Sequence, residues 1–569
     1  MPSEHASAEL LGALSKLLTE VRAVDLPLRT PGAQAVEETR GAVVDQLSDY
    51  VIPRLVQLEA PLLTVVGGST GAGKSTLVNT LVGSRVTESG VLRPTTRSPV
   101  LVHHPDDAEW FQPDRILPDL PRTDVPTNDV YALRLAASTG VPRGLAILDA
   151  PDVDSIDADN RALATQLLAA ADLWLFVTSA ARYADQVPWD YLRRAAERST
   201  SVAVVLDRTS AEAVVEVRGH LARMMTARGL SDSPLFTVPE APIDPDGLIP
   251  AEAVAPITRW LHDLAADPEA RQAVVLKTLD GAVRHNVMRT HDVADELGEQ
   301  VTAAGELRAD LDEIYDEALD VVERSSADGS LLRGDVRTRW QEFVGTGELL
   351  RSVEEKVSRL RDRLLTGVTG RRTRDAEVAE SIAQALVALV LESVQSAGEA
   401  VVRGWGGTDV GRPLVDAHRG VERPPADLAV RVERLVHDWQ ARVVELVRTE
   451  SADRKLNPNV LALGQHGVAV AVQVMVLVQR SRDDLDAAEA ARSLLTAIFG
   501  AGGAKQLLDR AHDDLVRSAG VVVEAERQRF GALVPDPDRV LAAQTSLREA
   551  ARQAEYARHA DFLDGELSR

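Results

Sequence analysis

The segment GGSTGAGKST, residues 67–76, has the residue types and spacing that hold a polyphosphate. Gly68, Gly73, Lys74 and Ser75 fit the P-loop pattern G-x-x-x-x-G-K-[ST]. In that pattern backbone N–H groups cradle the phosphates, the lysine reaches the outer phosphates and the hydroxyl binds Mg²⁺. An apolar run, PLLTVV, comes before the loop, and a helical pattern, TLVNTLVG, comes after it. We therefore predict a strand, a loop and a helix, with phosphate at the helix N-terminus, where the macrodipole favours anions.

The predicted phosphate site includes every residue of this loop. A plain structural turn rich in glycine is the alternative, and the strand and helix patterns on either side disfavour it. We expect Lys74 to be exposed to solvent until phosphate arrives. The predicted contacting residues are Gly68, Ser69, Thr70, Gly71, Ala72, Gly73, Lys74, Ser75 and Thr76.

Two later segments offer oxygen ligands for a metal ion. The run LAILDAPDVDS places Asp149 at the end of an apolar strand pattern, where an acidic group can hold Mg²⁺ through water. The segment VLRPTTRSPVLVHH carries two threonines on a proline-flanked loop, and such a threonine can close over the γ-phosphate and Mg²⁺. Thr96 is the first choice and Thr95 the second. The predicted metal ligands are therefore Ser75, Thr96 and Asp149, with a solvated strand-end carboxylate as the alternative for Asp149.

Short apolar runs alternate with helical patterns between about residues 61 and 240, which is typical of a parallel sheet covered by helices. Helical periodicity then continues from about residue 255 to the C-terminus. The predicted fold class is therefore an α/β P-loop domain with a mostly parallel sheet, followed by a long all-α helical bundle. The predicted strands are LLTVV, SPVLVHH, GLAILDA, ADLWLFVTS, SVAVVLD and PLFTV.

We predict five segments along the chain. N-terminal helices at 1–59 pack on the helical region, and the P-loop domain spans 60–266. The helical bundle has two parts, 267–402 and 429–569, because the stretch between them, 403–428, is too rich in glycine and proline to continue a helix.

The motifs resemble those of the dynamin superfamily, within the translation-factor-like GTPase class, and in particular its bacterial members. GGSTGAGKST matches the P-loop, TTRSPV resembles the T-R-x-P switch, and DAPD stands in place of D-x-P-G. The resemblance implies that GTP is the substrate and Mg²⁺ the cofactor, and that a nucleotide-dependent dimer or larger assembly forms. It also implies catalytic roles for Lys74 and for Thr96 as the switch I threonine.

Three positions depart from the family pattern. Asp152 replaces the switch II glycine, and Val153 stands where small switch GTPases keep a glutamine that positions water. The base-reading motif [NT]-K-x-D corresponds to VVLDRTS, in which Ser210 replaces the aspartate that reads guanine. We predict that Asp207 and Arg208 contact the nucleotide, with Arg208 over the base. Asp207 either reads the base or caps a turn.

The segment SAARYADQVPWDYLRR is richer in aromatic and charged residues than a plain connector. Arg182, Asp185 and Trp189 form either a loop near the nucleotide or a dimer surface. The alternative is a helix start with Pro188 in its first turn and Trp189 packed beneath it.

Composition restricts the partners and the compartment. The net charge of −24 argues against generic binding to nucleic acid, because phosphate contacts need clustered cations. The chain has no cysteine, which excludes disulfides and thiolate metal sites. No signal-peptide pattern is visible at the N-terminus, so a cytoplasmic location is expected, peripheral at the inner face of the cell membrane if lipid is bound.

Two apolar segments are candidates for contact with membrane lipid. Residues 460–478, VLALGQHGVAVAVQVMVLV, carry no charge, and a second patch lies at 497–508. Three alternatives stay open for the first segment: a buried helix of the bundle, a membrane-contacting tip, or a membrane span, which needs about 20 apolar residues.

These observations lead to one expected function and one rival. The first is a dynamin-like GTPase that hydrolyses GTP to drive self-assembly at a membrane, in remodelling or cell division. The rival is a regulatory nucleotide-binding switch in solution, whose helical half docks a protein partner.

Overall fold

A computed structural model describes most of the chain, including the P-loop and nearly all of the helical region. The described residues are 4–87, 98–113, 115–117, 120–127, 129, 131–155, 157–197, 200–210, 212–344, 364–451, 458–481 and 485–563.

The strands belong to one mixed sheet in which all pairs but one are parallel. In chain order they are β1 (Leu62–Gly68), β2 (Val100–His103), β3 (Arg122–Thr123), β4 (Leu133–Ala137), β5 (Leu145–Asp149), β6 (Leu173–Ser179), β7 (Ser201–Thr209) and β8 (Leu235–Pro239).

Most of the described residues outside the sheet belong to α-helices. In chain order they are α1 (Glu4–Ala23), α2 (Ala33–Gln46), α3 (Ile52–Val56), α4 (Lys74–Val82), α5 (Ala158–Ala169), α6 (Gln186–Glu197), α7 (Val214–Thr226), α8 (Ala251–Ala266), α9 (Pro268–Ser325), α10 (Gly334–Val344), α11 (Leu364–Gly406), α12 (Gly411–Ala417), α13 (Leu428–Ser451), α14 (Pro458–Leu477), α15 (Leu485–Gly531) and α16 (Pro537–Arg558).

The chain forms two compact units. The first comprises Met1–Leu26, Gly32–Gly298 and Val540–Arg569, and the second comprises Pro27–Pro31 and Glu299–Arg539. The predicted segment 429–569 thus contributes to both units, since its last helix, α16, belongs almost wholly to the first. The predicted linker at 403–428 begins in the last turn of α11 and contains α12. The five predicted boundaries stay predictions.

The sheet lies in the first unit, with strand order β3-β4-β2-β5-β1-β6-β7-β8 among the described residues. Only the β2–β5 pair is antiparallel. The six predicted apolar runs form β1, β2, β5, β6, β7 and β8. The edge strand β3 and its neighbour β4 were not predicted. Only Leu133 of β4 is fully buried, so this strand lacks a strong apolar pattern. This sheet and the helical second unit confirm the predicted fold class.

The strand register brings the functional segments to one edge of the sheet. Strand β1 pairs in parallel with β5 on one side and with β6 on the other. Val66 is the partner of Asp149, and Gly68 is the partner of Val177. Since the carboxyl ends of parallel strands meet at the same edge, the loops after β1, β5 and β6 lie side by side.

A buried ion pair fixes the N-terminal helices to this sheet. Arg54 Nε lies 2.9 Å from Asp172 Oδ1, and both side chains are buried. The same carboxylate accepts hydrogen bonds from the Tyr50 hydroxyl, at 3.0 Å, and from the backbone N–H of Leu63 in β1, at 2.8 Å. Asp172 therefore joins the end of the N-terminal helices to the start of β1 and β6.

The second unit is helical and has two hydrophobic clusters. One cluster is centred on Tyr315, Trp405 and Phe530. The other is centred on Trp340, Trp439 and the apolar helix α14. Trp439 also donates from Nε1 to the carbonyl oxygen of Ala511, at 2.9 Å, so its one polar atom is satisfied inside this core.

The apolar segment 460–478 is largely buried in the second unit. Residues 467–478 are buried, whereas Gly464, Gln465 and His466, at a break in the helical geometry of α14, are exposed. The buried Gln473 accepts a hydrogen bond from Gln440 Nε2, at 3.0 Å. Of the three alternatives, burial in the bundle is therefore the one that this arrangement shows. In the second patch, 497–508, Ala497 and residues 500–502 are exposed next to a break in helical geometry at Gly500.

One other helical segment is long and apolar enough to cross a membrane, by length and composition alone. Among the described residues it is Arg374–Gly406, with a mean hydropathy of 1.5 over its most apolar window. Ile382, Leu386 and Val390 of this segment are fully buried in the two clusters.

The burial of α14 predicts the effect of a charge within it. Val472 is fully buried, and an unpaired carboxylate there would lose its hydration without gaining a partner. We expect Val472→Asp to lower the free energy of unfolding by about 3–5 kcal/mol, the usual cost of an uncompensated buried charge. Thermal and urea unfolding followed by circular dichroism measure this loss.

Val521→Asp is the matched control, because Val521 is 68% exposed on α15 in the same unit. It should change stability little. A Val472→Asp protein that unfolds like this control would show that α14 is not packed as described, and would restore the interpretation of a solvent- or lipid-facing tip.

Candidate functional site

The P-loop joins β1 to α4 and depends on two glycines for its path. Gly68 has a φ of 146°, and a Cβ atom there would collide with the carbonyl oxygen of Val177 in the neighbouring strand. Gly73 has a φ of 100° and caps the N-terminus of α4. Because side-chain-bearing residues rarely adopt these φ values, the spacing of the two glycines fixes the loop. The loop therefore delivers the N-terminus of α4 to the edge of the sheet.

Lys74, the first residue of α4, is buried and fully engaged. Its Nζ forms an ion pair with Asp152 Oδ1 and donates to the carbonyl oxygens of Gly68 and Ser69, at 3.0 and 3.1 Å. Only 6% of the lysine is exposed. The prediction that Lys74 is exposed until phosphate arrives is therefore wrong, because the carboxylate that replaces the switch II glycine covers it.

Asp149 lies beside Ser75, as a metal site would require. The Ser75 hydroxyl donates to Asp149 Oδ2 at 2.7 Å, and Oδ1 accepts no hydrogen bond from the described residues. Burial raises the pKa of Asp149 to about 6, although the Ser75 hydrogen bond and the charge of Lys74 act in the opposite direction. A buried carboxylate oxygen without a donor needs a cation or a proton.

These two residues fit Mg²⁺. This ion prefers oxygen ligands and is usually bound by one or two carboxylates together with substrate phosphates and water. Ser75 Oγ and the Asp149 carboxylate are oxygen atoms of this kind, and they lie beside each other at the start of α4. The third predicted ligand, Thr96, and its alternative, Thr95, lie outside the described residues.

A second acidic residue after β5 holds the outer part of the P-loop. Asp154 Oδ1 accepts from the backbone N–H of Thr70 at 2.6 Å and from the Thr70 hydroxyl at 2.7 Å. Burial works to raise the pKa of Asp154, but the hydrogen bonds from Thr70 and the charge of Arg182 outweigh it and lower this pKa below the usual range. Asp154 is therefore an ionised carboxylate at neutral pH.

Arg182, in the loop after β6, completes this contact. Its guanidinium lies 2.7 Å from Asp154 Oδ2 and 2.8 Å from Asp185, and donates to the carbonyl oxygen of Thr70 at 2.9 Å. Arg182 and Asp185 therefore belong to a loop next to the P-loop. Trp189 is buried at the start of α6 and donates to the carbonyl oxygen of Tyr183, at 2.7 Å, so its role is packing.

The segment predicted to read the base is arranged differently from its motif. Asp207 is buried against the P-loop, so close that a Cβ on Gly73 would meet its Oδ2. Ser210 accepts from the backbone N–H of Ala213, at 3.3 Å, next to the start of α7. Arg208 has a φ of 54°, unusual for a residue with a side chain. Asp207 also accepts from the backbone N–H of Arg208, at 2.8 Å, and its two alternatives, reading the base and capping a turn, stay predictions.

The structure brings the predicted P-loop residues, Asp149 and Asp207 together at one edge of the sheet. Sequence reasoning missed the contacts of Asp154 and Arg182 with Thr70. The spacing of three acids in DAPDVDS, directly after the strand that ends at Asp149, was the available signal. Nothing in the sequence indicated which P-loop atoms these acids would contact.

Comparisons with known proteins were made for the whole chain. No family model and no curated protein matches it. Two matching solved structures are of an oligomerised bacterial dynamin pair, described as providing a mechanism for the long-range sensing and tethering of membranes. In one, identity is 9%, the TM-score is 0.44, and the match covers 97% of this chain and 95% of that chain. In the other, identity is 9%, the TM-score is 0.43, and the covered shares are 98% and 100%.

A third matching structure is the LeoA bacterial dynamin GTPase from ETEC, at 13% identity and a TM-score of 0.23, covering 97% of this chain and 100% of that chain. All three are bacterial dynamins. They come from the family whose motifs the sequence resembles.

The buried Asp207 predicts a pH-dependent contribution to stability. Burial raises its pKa from the ordinary value of 3.8 to about 6, although the backbone N–H and charge of Arg208 act in the opposite direction. Between these values the folded protein binds a proton that the unfolded chain releases, so this group's contribution falls as pH rises from about 4 to about 6. We expect Asp207→Asn to raise stability at about pH 7.5 by on the order of 1–3 kcal/mol.

The same variant should gain much less at about pH 4.5, where the carboxyl group is protonated in the folded wild-type protein. Melting temperatures of the two proteins at both pH values measure the difference. Asp232→Asn, at an exposed turn before β8, is the control for the change of charge. An Asp207→Asn protein that loses the same stability at both pH values would contradict the buried, costly carboxylate.

Proposed function

We propose that this chain is a dynamin-like GTPase, which hydrolyses the β–γ phosphoanhydride bond of GTP with Mg²⁺ and uses the cycle to assemble with copies of itself. We place it in the cytoplasm, peripheral at the inner face of the cell membrane. The observation that carries the proposal is the convergence of Lys74, Ser75 and Asp149 at the N-terminus of α4.

The geometry supports phosphate and metal binding directly. The N–H groups at the start of α4 face the edge where the loops after β1, β5 and β6 meet, and a helix N-terminus favours anions. Lys74 is the cation for the outer phosphates, while Ser75 and Asp149 hold Mg²⁺. The metal ion, when bound, neutralises charge on the phosphates as the bond to the γ-phosphate breaks.

The choice of guanine is supported by the family resemblance rather than by a base-reading carboxylate. Ser210 has one hydroxyl where guanine readers place two carboxylate oxygens, and that hydroxyl already contacts the start of α7. A hydrogen bond to a charged acceptor contributes roughly 1.5–3 kcal/mol, so its loss narrows the preference for guanine over adenine. We therefore expect a GTP preference that is smaller than in proteins with an intact motif.

Self-assembly is supported by Val153, which stands at the position where small switch GTPases keep the residue that orients the attacking water. Val153 is buried and apolar, so it cannot orient the water that attacks the γ-phosphate. Phosphoryl transfer depends chiefly on positioning and charge stabilisation, which a facing copy of the domain can supply. Arg182 is bound to Asp154, Asp185 and Thr70 in its own chain, so it would have to leave these partners before it could serve a neighbour.

A regulatory switch that does not bind lipid is a second candidate, and one observation favours it. Most of the apolar segment at 460–478 is buried in the helical core, which removes the strongest apolar surface from a membrane contact. Sedimentation with liposomes, with and without nucleotide, separates the two candidates. The proposed membrane association requires that the protein pellets with vesicles and that the exposed patch around Gly500 contributes to it.

The proposed function predicts a GTP hydrolysis rate that depends on protein concentration. The rate per molecule should rise steeply over a roughly hundredfold increase in concentration, because catalysis needs a second copy. Lys74→Ala should bind no GTP in calorimetry and should stay inactive at every concentration, since the outer phosphates lose their cation. Light scattering on the same samples reports the oligomeric state.

Lys277→Ala is the matched control, because Lys277 is exposed on α9 in the same unit. It should behave as the wild-type protein. Undiminished GTP affinity in a folded Lys74→Ala protein would refute the site. A flat specific rate in a monomeric sample would refute assembly-driven catalysis, and stronger competition by ATP than by GTP would refute the assignment of GTP.

A further inference from the structure

We propose that residues 152–154 form a latch that closes the P-loop, in which the carboxylate of Asp152 takes the place of a terminal phosphate beside Lys74. The proposal rests on the proposed function, because it takes the P-loop to be a nucleotide site. It assigns to Asp152 the control of how tightly that site holds a di- or triphosphate.

The first contact of the latch, between Asp152 and Lys74, occupies the last hydrogen-bond donor of the lysine ammonium group. An ammonium group has three N–H donors and no acceptor. Lys74 uses them on Asp152 and on the carbonyl oxygens of Gly68 and Ser69. A phosphate can bind this group only by displacing one of the three. Asp152 is the one partner that is not part of the P-loop and that carries a like charge to phosphate.

The next two residues hold the same loop at further points. The backbone N–H of Val153 donates to the carbonyl oxygen of Gly68, at 3.4 Å. Asp154 accepts hydrogen bonds from the N–H and the hydroxyl of Thr70. Arg182 contacts both residues, because its guanidinium pairs with the Asp154 carboxylate and donates to the carbonyl oxygen of Thr70. Three consecutive residues after β5 are therefore attached to the P-loop, and a displacement of Asp152 acts on a segment that is also held at the next two residues, Val153 and Asp154.

The chemistry follows from the replacement of glycine by aspartate. A glycine at position 152 has no side chain and leaves Lys74 to the ligand. A carboxylate gives the buried cation an internal counter-charge, and the same negative charge repels a terminal phosphate. The two anions compete for one cation, so part of the affinity for nucleotide is lost to opening the latch.

The competition also links phosphate binding to movement. If phosphate displaces Asp152 from Lys74, residues 152–154 are freed from one of their attachments when the terminal phosphate arrives and regain it when that phosphate leaves. Nucleotide binding and latch opening are thermodynamically linked. The factor by which bound nucleotide favours the open latch is also the factor by which opening the latch raises the affinity for nucleotide. The loop after Asp149 thereby reports the presence of phosphate without the backbone N–H contact that a glycine would allow.

The test measures affinity and stability of the same variant. Asp152→Asn keeps the size of the side chain and removes its charge. We expect it to bind GDP and a non-hydrolysable GTP analogue roughly tenfold more tightly in calorimetry, since a charged competitor has been removed. We also expect the nucleotide-free variant to melt at a lower temperature than the wild-type protein, because Lys74 has lost its counter-charge. Asp152→Gly should show the same two changes.

The latch predicts a higher affinity for nucleotide together with a lower melting temperature. This combination distinguishes a latch from a residue that only supports the fold. A merely structural residue would lower the melting temperature and leave affinity unchanged or weaker. Asp232→Asn, exposed on a turn before β8, removes the same charge from the same unit and should change neither quantity. Equal or weaker nucleotide affinity in both Asp152 variants, with the wild-type protein binding normally, overturns the latch and leaves the proposed function intact.

Failure of the proposed function gives a different result. If neither the wild-type protein nor either Asp152 variant binds GDP, GTP or ATP, the P-loop is not a nucleotide site and both proposals fall. Binding by Asp152→Gly together with undetectable binding by the wild-type protein supports the latch in its strongest form.

Discussion

A buried ammonium group needs negative partners, and at Lys74 this requirement organises the loops at the edge of the sheet. The lysine is placed there by the glycine turn that leads from β1 into α4, where its charge adds to the positive end of the helix. Two backbone carbonyl groups and one carboxylate satisfy it. Because that carboxylate comes from the loop after β5, the position of one loop depends on the charge carried by another.

Much of the architecture could be predicted from the sequence. Buried strands of a parallel sheet have continuous apolar runs, and such runs identified six of the eight described strands, including β1 and β5. The P-loop spacing also located the turn between β1 and α4, because the two glycines are required by backbone geometry. Strand β4, next to the edge strand β3, was not predicted because only one of its residues, Leu133, is fully buried, which leaves little periodic signal.

The contacts inside the site could not be predicted in the same way. Asp152 and Lys74 are 78 residues apart, and Asp154 and Thr70 are 84 residues apart. Local patterns specify strands and turns but not which charged side chains meet once the strands are paired. The departures from the family pattern at positions 152, 153 and 210 were visible as residue types. Their consequences depend on burial and on hydrogen-bond partners, which only the folded arrangement supplies: Asp152 covers the lysine, Val153 is buried, and Ser210 contacts the start of α7.

A crystal structure of the full chain with Mg²⁺ and a non-hydrolysable GTP analogue tests the central claim most directly. The account predicts the terminal phosphate within hydrogen-bond distance of Lys74 Nζ, Mg²⁺ on Ser75 Oγ at the side of Asp149, and the Asp152 carboxylate displaced from the lysine. A nucleotide bound elsewhere, with the Lys74–Asp152 pair intact, would contradict it.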